Sequence, residues 1–136
     1  MNDLVIVDTN ILISALISKN EKILQTLSSS NTSFVSTNYI VVELFKHSHR
    51  IQKKSRLSTE QLIELLGIII GQIKLLDDGL ISVSSWVEAA RLCRGEDMND
   101  LAFLALALEL KGKLWTRDKR LKLHLIRNGY SNFFEI

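Results

Sequence analysis

The sequence predicts an α/β domain on a mostly parallel sheet of about five strands, and three features carry that expectation. Short runs rich in Val, Ile and Leu alternate with stretches of helical period along the whole chain. The first run, Leu4-Val5-Ile6-Val7, is apolar without a break, as suits a strand buried on both faces in the middle of a parallel sheet. It runs straight into Asp8, which therefore falls at the carboxyl end of the strand. That is the edge at which open α/β sheets bind ligands.

The remaining elements follow in order. Thr9 and Asn10 are good caps for a helix over Ile11 to Leu16. Glu21 to Ser28 reads as a second helix, with Ile23, Leu24 and Leu27 on one face. Ser33 to Ser36 is a short strand, and Thr37 or Asn38 caps a helix from Tyr39 to about His47. Lys46 to Arg56 is polar and basic. Ser58 and Gln61 have the spacing of a capping box, opening a helix that runs to Gly71. Ile73 to Leu76 is a third strand, ended by Asp77-Asp78-Gly79, and Ser82 to Arg94 is an amphipathic helix. The acidic loop Gly95 to Asp100 leads into an apolar helix, Leu101 to Leu110, which Gly112 ends. Lys113 to Thr116 is a strand, Lys119 to Arg127 a basic helix, and Phe133 to Ile136 an edge strand.

Composition narrows the class. The 136 residues suit one domain, spanning 1–136, with a real core. Hydrophobic content of 46% and charged content of 24% are ordinary for a folded soluble protein. A net charge of +2 argues neither for nor against nucleic acid, so the distribution of charge must decide. The single Cys93 excludes an internal disulfide and reads as a core thiol. There is no basic leader, and Leu62 to Leu76, the most apolar stretch, is too short and too polar to span a bilayer. A cytoplasmic protein with no membrane partner is expected. Proline is absent, repeats and linkers are absent, and Trp86 and Trp115 read as core.

Four acids stand out by position: Asp8, Glu43, Asp100 and Asp118, with Asp97 as a fifth candidate. Each lies near the carboxyl end of a strand or the amino end of a helix, and in a parallel sheet those ends converge on one edge. Carboxylates so gathered repel unless a cation neutralises them, and a hard divalent ion with oxygen ligands does so. Such an ion also acidifies a water for attack on a phosphodiester. Helix capping accounts for Asp8, Asp97 and Asp118 one at a time. It accounts less well for Glu43, inside the apolar segment Ile40 to Phe45, where a charge is costly unless paired or metal-bound. No Gly-rich phosphate loop, nucleophile elbow or Cys–His pair is present. His47, His49 and His124 lie in basic surroundings and read as solvated.

In these motifs the chain resembles the PIN-domain nucleases over nearly its whole length. Val7-Asp8-Thr9-Asn10-Ile11-Leu12 is similar to that family's first motif. Glu43, within Ser36 to Leu44, is similar to its second, and Asp100-Leu101-Ala102-Phe103-Leu104 to its third. Leu114-Trp115-Thr116-Arg117-Asp118 is similar to its fourth. The resemblance implies a three-layer α/β/α sandwich and cleavage of RNA that depends on one or two Mg²⁺ or Mn²⁺ ions. Carried over by position, Asp8, Glu43, Asp100 and Asp118 form the acidic quartet and hold the metal. Asp97 assists or replaces Asp100, Thr9 and Asn10 shape the first motif, and Thr116 supports the fourth. Chain length and the lack of an accessory domain are similar to VapC-type toxins, which implies an antitoxin partner.

A cleft lined by acids repels RNA, so binding needs cations beside it. Lys46, Arg50, Lys53 and Lys54 in one basic segment, and Arg117, Lys119 and Arg120 in the other, are the candidates. The helix after Ser58 is apolar around most of its circumference, which predicts deep burial together with a homodimer contact. The expected function is a metal-dependent endoribonuclease. The alternative is a non-catalytic module of the same fold that docks RNA or protein.

Overall fold

The strand β1 (Asp3–Val7) is buried on both faces, because Val5, Ile6 and Val7 have no exposed surface. A computed structural model describes residues 3–29, 31–96 and 101–136. After β1 come α1 (Thr9–Ser18), α2 (Glu21–Leu27), β2 (Thr32–Thr37), α3 (Tyr39–Lys46), α4 (Ser48–Lys54), α5 (Thr59–Gly71) and β3 (Lys74–Leu76). A 3₁₀ turn (Asp78–Leu80) then leads to α6 (Val83–Leu92), α7 (Leu101–Leu110), β4 (Lys113–Trp115) and α8 (Lys119–Arg127). Among the described residues no helix is long and apolar enough to cross a membrane.

The sheet has four strands in the order β3-β2-β1-β4, all parallel. The chain moves outward from β1 through β2 to β3, then returns past β1 to form β4. Right-handed crossovers put the helices before β3 on one face and α6 and α7 on the other. Accordingly α1 gathers α2, α3, α4 and α5 around it, while α7 lies on β1 and β2 and is backed by α6. The reversal makes the gap between β1 and β4 a topological switch point, where the two connections leave a crevice at the carboxyl edge.

The mostly parallel, helix-flanked sheet agrees with expectation, with differences in detail. The fifth strand reduces to one parallel bridge, Phe133 with Leu114. Its two flanking hydrogen bonds, Leu114 N to Asn132 O and Phe134 N to Leu114 O, are not continued along the chain. The basic segment after His47 folds into α4, because Ile51 turns inward and is buried. The capping box at Ser58 is present in both halves, Gln61 N to Ser58 Oγ at 3.2 Å and Ser58 N to Gln61 Oε1 at 3.0 Å.

Two details differ in their cause. Helix α7 ends with Lys111 in the left-handed conformation at φ 56, not with a left-handed glycine. Gly112 is needed for space: a Cβ there would stand 2.5 Å from Ile6 Cδ1 and 2.9 Å from the Leu4 carbonyl oxygen. Helix α5 is less buried than its composition predicts. Leu62 and Ile69 are buried, whereas Ile63 and Ile68 are exposed. Cys93 and Trp115 lie in the core as expected, and Trp86 packs against it half-buried.

Candidate active site

The carboxyl edge of the sheet collects polar groups that the rest of the interior excludes. The buried polar residues among those described are Asp8, Thr9, Ser36, Thr37, Glu43 and Thr116. Every one follows or ends β1, β2 or β4, or stands on the helix after β2. Burying polar groups costs free energy unless each finds a partner, so this concentration has a local cause.

Register brings Asp8 and Thr116 together. Val7 pairs with Trp115, which puts the next residues, Asp8 and Thr116, side by side past the strand ends. Asp8 N donates to the Trp115 carbonyl at 3.1 Å, extending the ladder by one bond. Thr116 Oγ1 donates to Asp8 Oδ2 at 2.7 Å, and the same oxygen accepts from Asp118 N at 3.2 Å. Thr116 thus joins the first and fourth motifs through one hydroxyl. On the other side, Ser36 Oγ donates to the Val7 carbonyl at 2.8 Å and fixes the end of β2 against β1.

Asp8 and Asp118 occupy the same position, just before a helix, yet their side chains act differently. Asp8 stands at the N-cap of α1, but its side chain makes no capping bond there. The residue is 1% exposed, and its carboxylate accepts from Thr116. Capping therefore does not explain Asp8. Asp118 Oδ1 does cap α8, accepting from Leu121 N at 3.0 Å.

Glu43 is buried, 8% exposed, one turn into α3. His47, one turn further on, stands 3.5 Å from Glu43 Oε2, so this histidine is drawn to an acid and is only half-exposed. The start of α3 is held by Thr37, whose Oγ1 accepts from Tyr39 N at 3.1 Å. Asn38, at the N-cap position, makes no side-chain cap.

Asp97 and Asp100, the two candidates for the third motif, lie outside the described residues. Glu96, just before them, pairs with Arg120 at 3.4 Å and with His124 at 3.8 Å on α8. Among the described residues no three His, Cys, Asp or Glu side chains come close enough to hold an ion by themselves. The buried side-chain donors at this edge are oxygens: the carboxylates of Asp8 and Glu43, and the Thr9 hydroxyl, for which no hydrogen-bond partner stands among the described residues. That chemistry suits a hard divalent cation such as Mg²⁺ or Mn²⁺.

The basic candidates separate into two groups. Arg117, Lys119 and Arg120 are exposed and follow Thr116 directly. Lys46 lies against Tyr39, with Nζ 3.4 Å from the Tyr39 hydroxyl. Arg50, Lys53 and Lys54 are exposed on α4. Lys54 lines a groove with Ile17 and Lys19, at the far end of α1 from Asp8. Thr37 caps α3 as one of the two residues expected to, whereas the role of Ser36 and the burial of both escaped the motif reading. Their signal was two polar residues ending the apolar run Phe34-Val35 at the carboxyl edge.

A family model described as PIN domain matches residues 6–127. Among solved structures, VapBC2 from Rickettsia felis bound to a DNA fragment from their promoter superposes with a TM-score of 0.70 at 18% identity. That alignment covers 88% of this chain and 92% of the other. VapBC-1 from nontypeable Haemophilus influenzae gives 0.62 at 19% identity, covering 97% of each chain. A domain of a functionally unknown protein from Methanocaldococcus jannaschii gives 0.56 at 21% identity, covering 98% of this chain and 92% of that one. These likenesses are of fold. Among curated proteins, none matches the chain.

Proposed function

This chain belongs to the PIN-domain family, and on that premise we propose that it is a Mg²⁺- or Mn²⁺-dependent endoribonuclease of VapC type. The observation that carries the reading is Asp8. It is buried at the end of β1, at the switch point beside β4, and bonded to Thr116 rather than to the helix it precedes. Such a carboxylate is expensive to bury and is not explained by capping.

In this reading Asp8, Glu43, Asp118 and a carboxylate from Asp100, assisted by Asp97, hold the cation. When bound there, such a cation would supply positive charge against the phosphate and lower the pKa of a water. Thr116 orients Asp8 by its hydroxyl. A supporting donor of this kind fixes the rotamer of a ligand and raises its fitness for the ion. Thr9 and Asn10 shape the turn that presents Asp8. Asp118 Oδ1 serves the α8 backbone, and its other carboxylate oxygen would be the one to hold the ion. Arg117, Lys119, Arg120 and Lys46 hold backbone phosphates against the repulsion of the acids, while Arg50, Lys53 and Lys54 on α4 would meet only a more distant part of the strand.

Two of the structural neighbours are VapBC proteins. By analogy, this chain acts in the cytoplasm as the toxin of a pair whose antitoxin covers it, and it forms a homodimer. The exposed Val41, Val42 and Phe45 on α3, and Ile63 on α5, are apolar surface available to such protein contacts.

The test is cleavage of a labelled RNA by the purified protein. Activity that needs Mg²⁺ or Mn²⁺, stops with EDTA and is lost in Asp8→Asn is expected. Equal rates for wild type and Asp8→Asn, or activity indifferent to EDTA, would overturn the mechanism. The partner is tested by coexpression with the product of the adjacent reading frame, which should copurify and silence cleavage.

A further inference from the structure

Beside the acidic centre lies a pocket of opposite character. Its volume is about 270 Å³, and it opens between the start of α2 and the start of α8. Lys22, Arg117, Lys119 and Lys122 line it, and Glu135 is the acidic side chain among its lining residues. Thr116 belongs to both places: it lines this pocket and donates to Asp8 at 2.7 Å. Lys22 lies about a hundred positions from Lys122 and Glu135 in sequence, and only the fold brings it to them.

Glu135 already reaches a cation of this pocket. Its Oε1 lies 2.9 Å from Lys122 Nζ. The pair is lopsided, because the Lys122 side chain is 21% exposed and the Glu135 side chain 69%. The cation is held in place, also over the Phe133 ring at 5.8 Å from its centre, while the acid reaches in from solvent. An exposed carboxylate on such a pair is weakly held. One carboxylate also leaves most of the pocket's positive charge unneutralised. A phosphodiester offers the same charge with two free oxygens, and it can meet several of these side chains at once.

We propose that this pocket holds a backbone phosphate of the RNA strand that enters the Asp8 site, and that Glu135 occupies Lys122 in the free protein as the carboxylate this phosphate displaces. The proposal rests on the ribonuclease reading and deepens it. It explains how a strand is held next to carboxylates that repel it: the anchoring charge begins at Arg117, one residue from Thr116.

The experiment is fluorescence anisotropy of a labelled single-stranded RNA in EDTA across a salt series, with KM for cleavage in Mg²⁺ measured in parallel. Glu135→Gln should tighten RNA binding by about threefold and lower KM, because the phosphate has no carboxylate to displace, while Lys122→Met should flatten the slope of log affinity against log salt by about 0.7, one lost phosphate contact. Lys122→Met should weaken binding and abolish the effect of Glu135→Gln when the two are combined. Lys119→Met, an exposed position, should weaken binding without touching the Glu135 pair, and thermal melts report whether each variant folds. Wild-type affinity in both Glu135→Gln and Lys119→Met, with a wild-type salt slope in Lys122→Met, in a protein that cleaves RNA, overturns the pocket and leaves the ribonuclease reading standing. A wild type that neither binds nor cleaves RNA overturns both.

Discussion

The two ends of the sheet are built from the same strands and differ in every other respect. At the amino end, Asp3 and Lys113 meet in an exposed pair 3.9 Å apart, and Leu4 is only partly covered. Such a pair is screened by water and contributes little. At the carboxyl end, Asp8, Ser36, Thr37 and Thr116 are all buried and tied to one another's strands by side-chain hydrogen bonds or register. The sheet interior between them is apolar. A fold seeking stability alone would not concentrate buried polar groups on one edge, so the contrast marks that edge as the candidate site.

The comparison breaks most sharply at Asp8. Asp8→Asn keeps an oxygen for Thr116 Oγ1 and should leave the fold intact. RNA cleavage should nevertheless fall by a factor on the order of 100 or more, the scale of losing a charge-stabilising group at a reaction centre. Thr116→Val keeps the shape of the side chain and removes the donor to Asp8. A cost of about 10- to 100-fold in activity is expected, as for other residues that orient a ligand. Full activity in Thr116→Val would show that the 2.7 Å hydrogen bond has no part in catalysis.

The amino end should answer in stability instead. Gly112→Ala places a Cβ against Ile6 and the Leu4 carbonyl of β1. Overpacking of that kind costs about 1–3 kcal/mol, read from the urea midpoint, with the activity per folded molecule retained. A wild-type midpoint would mean that β1 and β4 can part without penalty.

Asp118 separates the two roles at one residue. Asp118→Asn retains an oxygen to cap α8 and should be as stable as wild type, while losing activity if the carboxylate holds the ion. Asp118→Ala should lose about 1 kcal/mol as well, the usual worth of a cap. If both variants cleave RNA normally, Asp118 is a cap and nothing more.

The smallest expected effect is on pH dependence, away from the site. Ser82, through its hydroxyl and its backbone N–H, and Ser85 hold the Glu109 carboxyl below its ordinary value of 4.5. A depressed folded-state value stabilises the protein above the unfolded value, and that gain is lost as pH falls through the folded one. Glu109→Ala should therefore melt below wild type at neutral pH, and the gap should narrow in acid below 4.5. A gap independent of pH would assign the loss to packing.

Much of this was legible before the fold was known, for a physical reason. Burial on both faces forces an uninterrupted apolar run, so Leu4 to Val7 announces a central strand. A capping box is local chemistry, so Ser58 and Gln61 announce a helix start. Glu43 inside an apolar helix face announces an acid that the fold had to accommodate. Less legible was the exposure of α5. Its Ile63 and Ile68 look like core residues in sequence, and only the number of neighbours available to the helix decides how many of its faces are covered.

By itself, the sequence determined the alternation of strands and helices, the central strand, and the identity of the acids. These follow from propensity and pattern over neighbouring residues. Only the tertiary structure decided which acid is a cap and which is not. Asp8 and Asp118 each precede a helix, and nothing nearby in sequence distinguishes them. Thr116, 108 positions from Asp8, is what turns that carboxylate away from its own helix. Strand pairing creates the partner, and pairing between distant segments is a property of the folded sheet rather than of any stretch of chain.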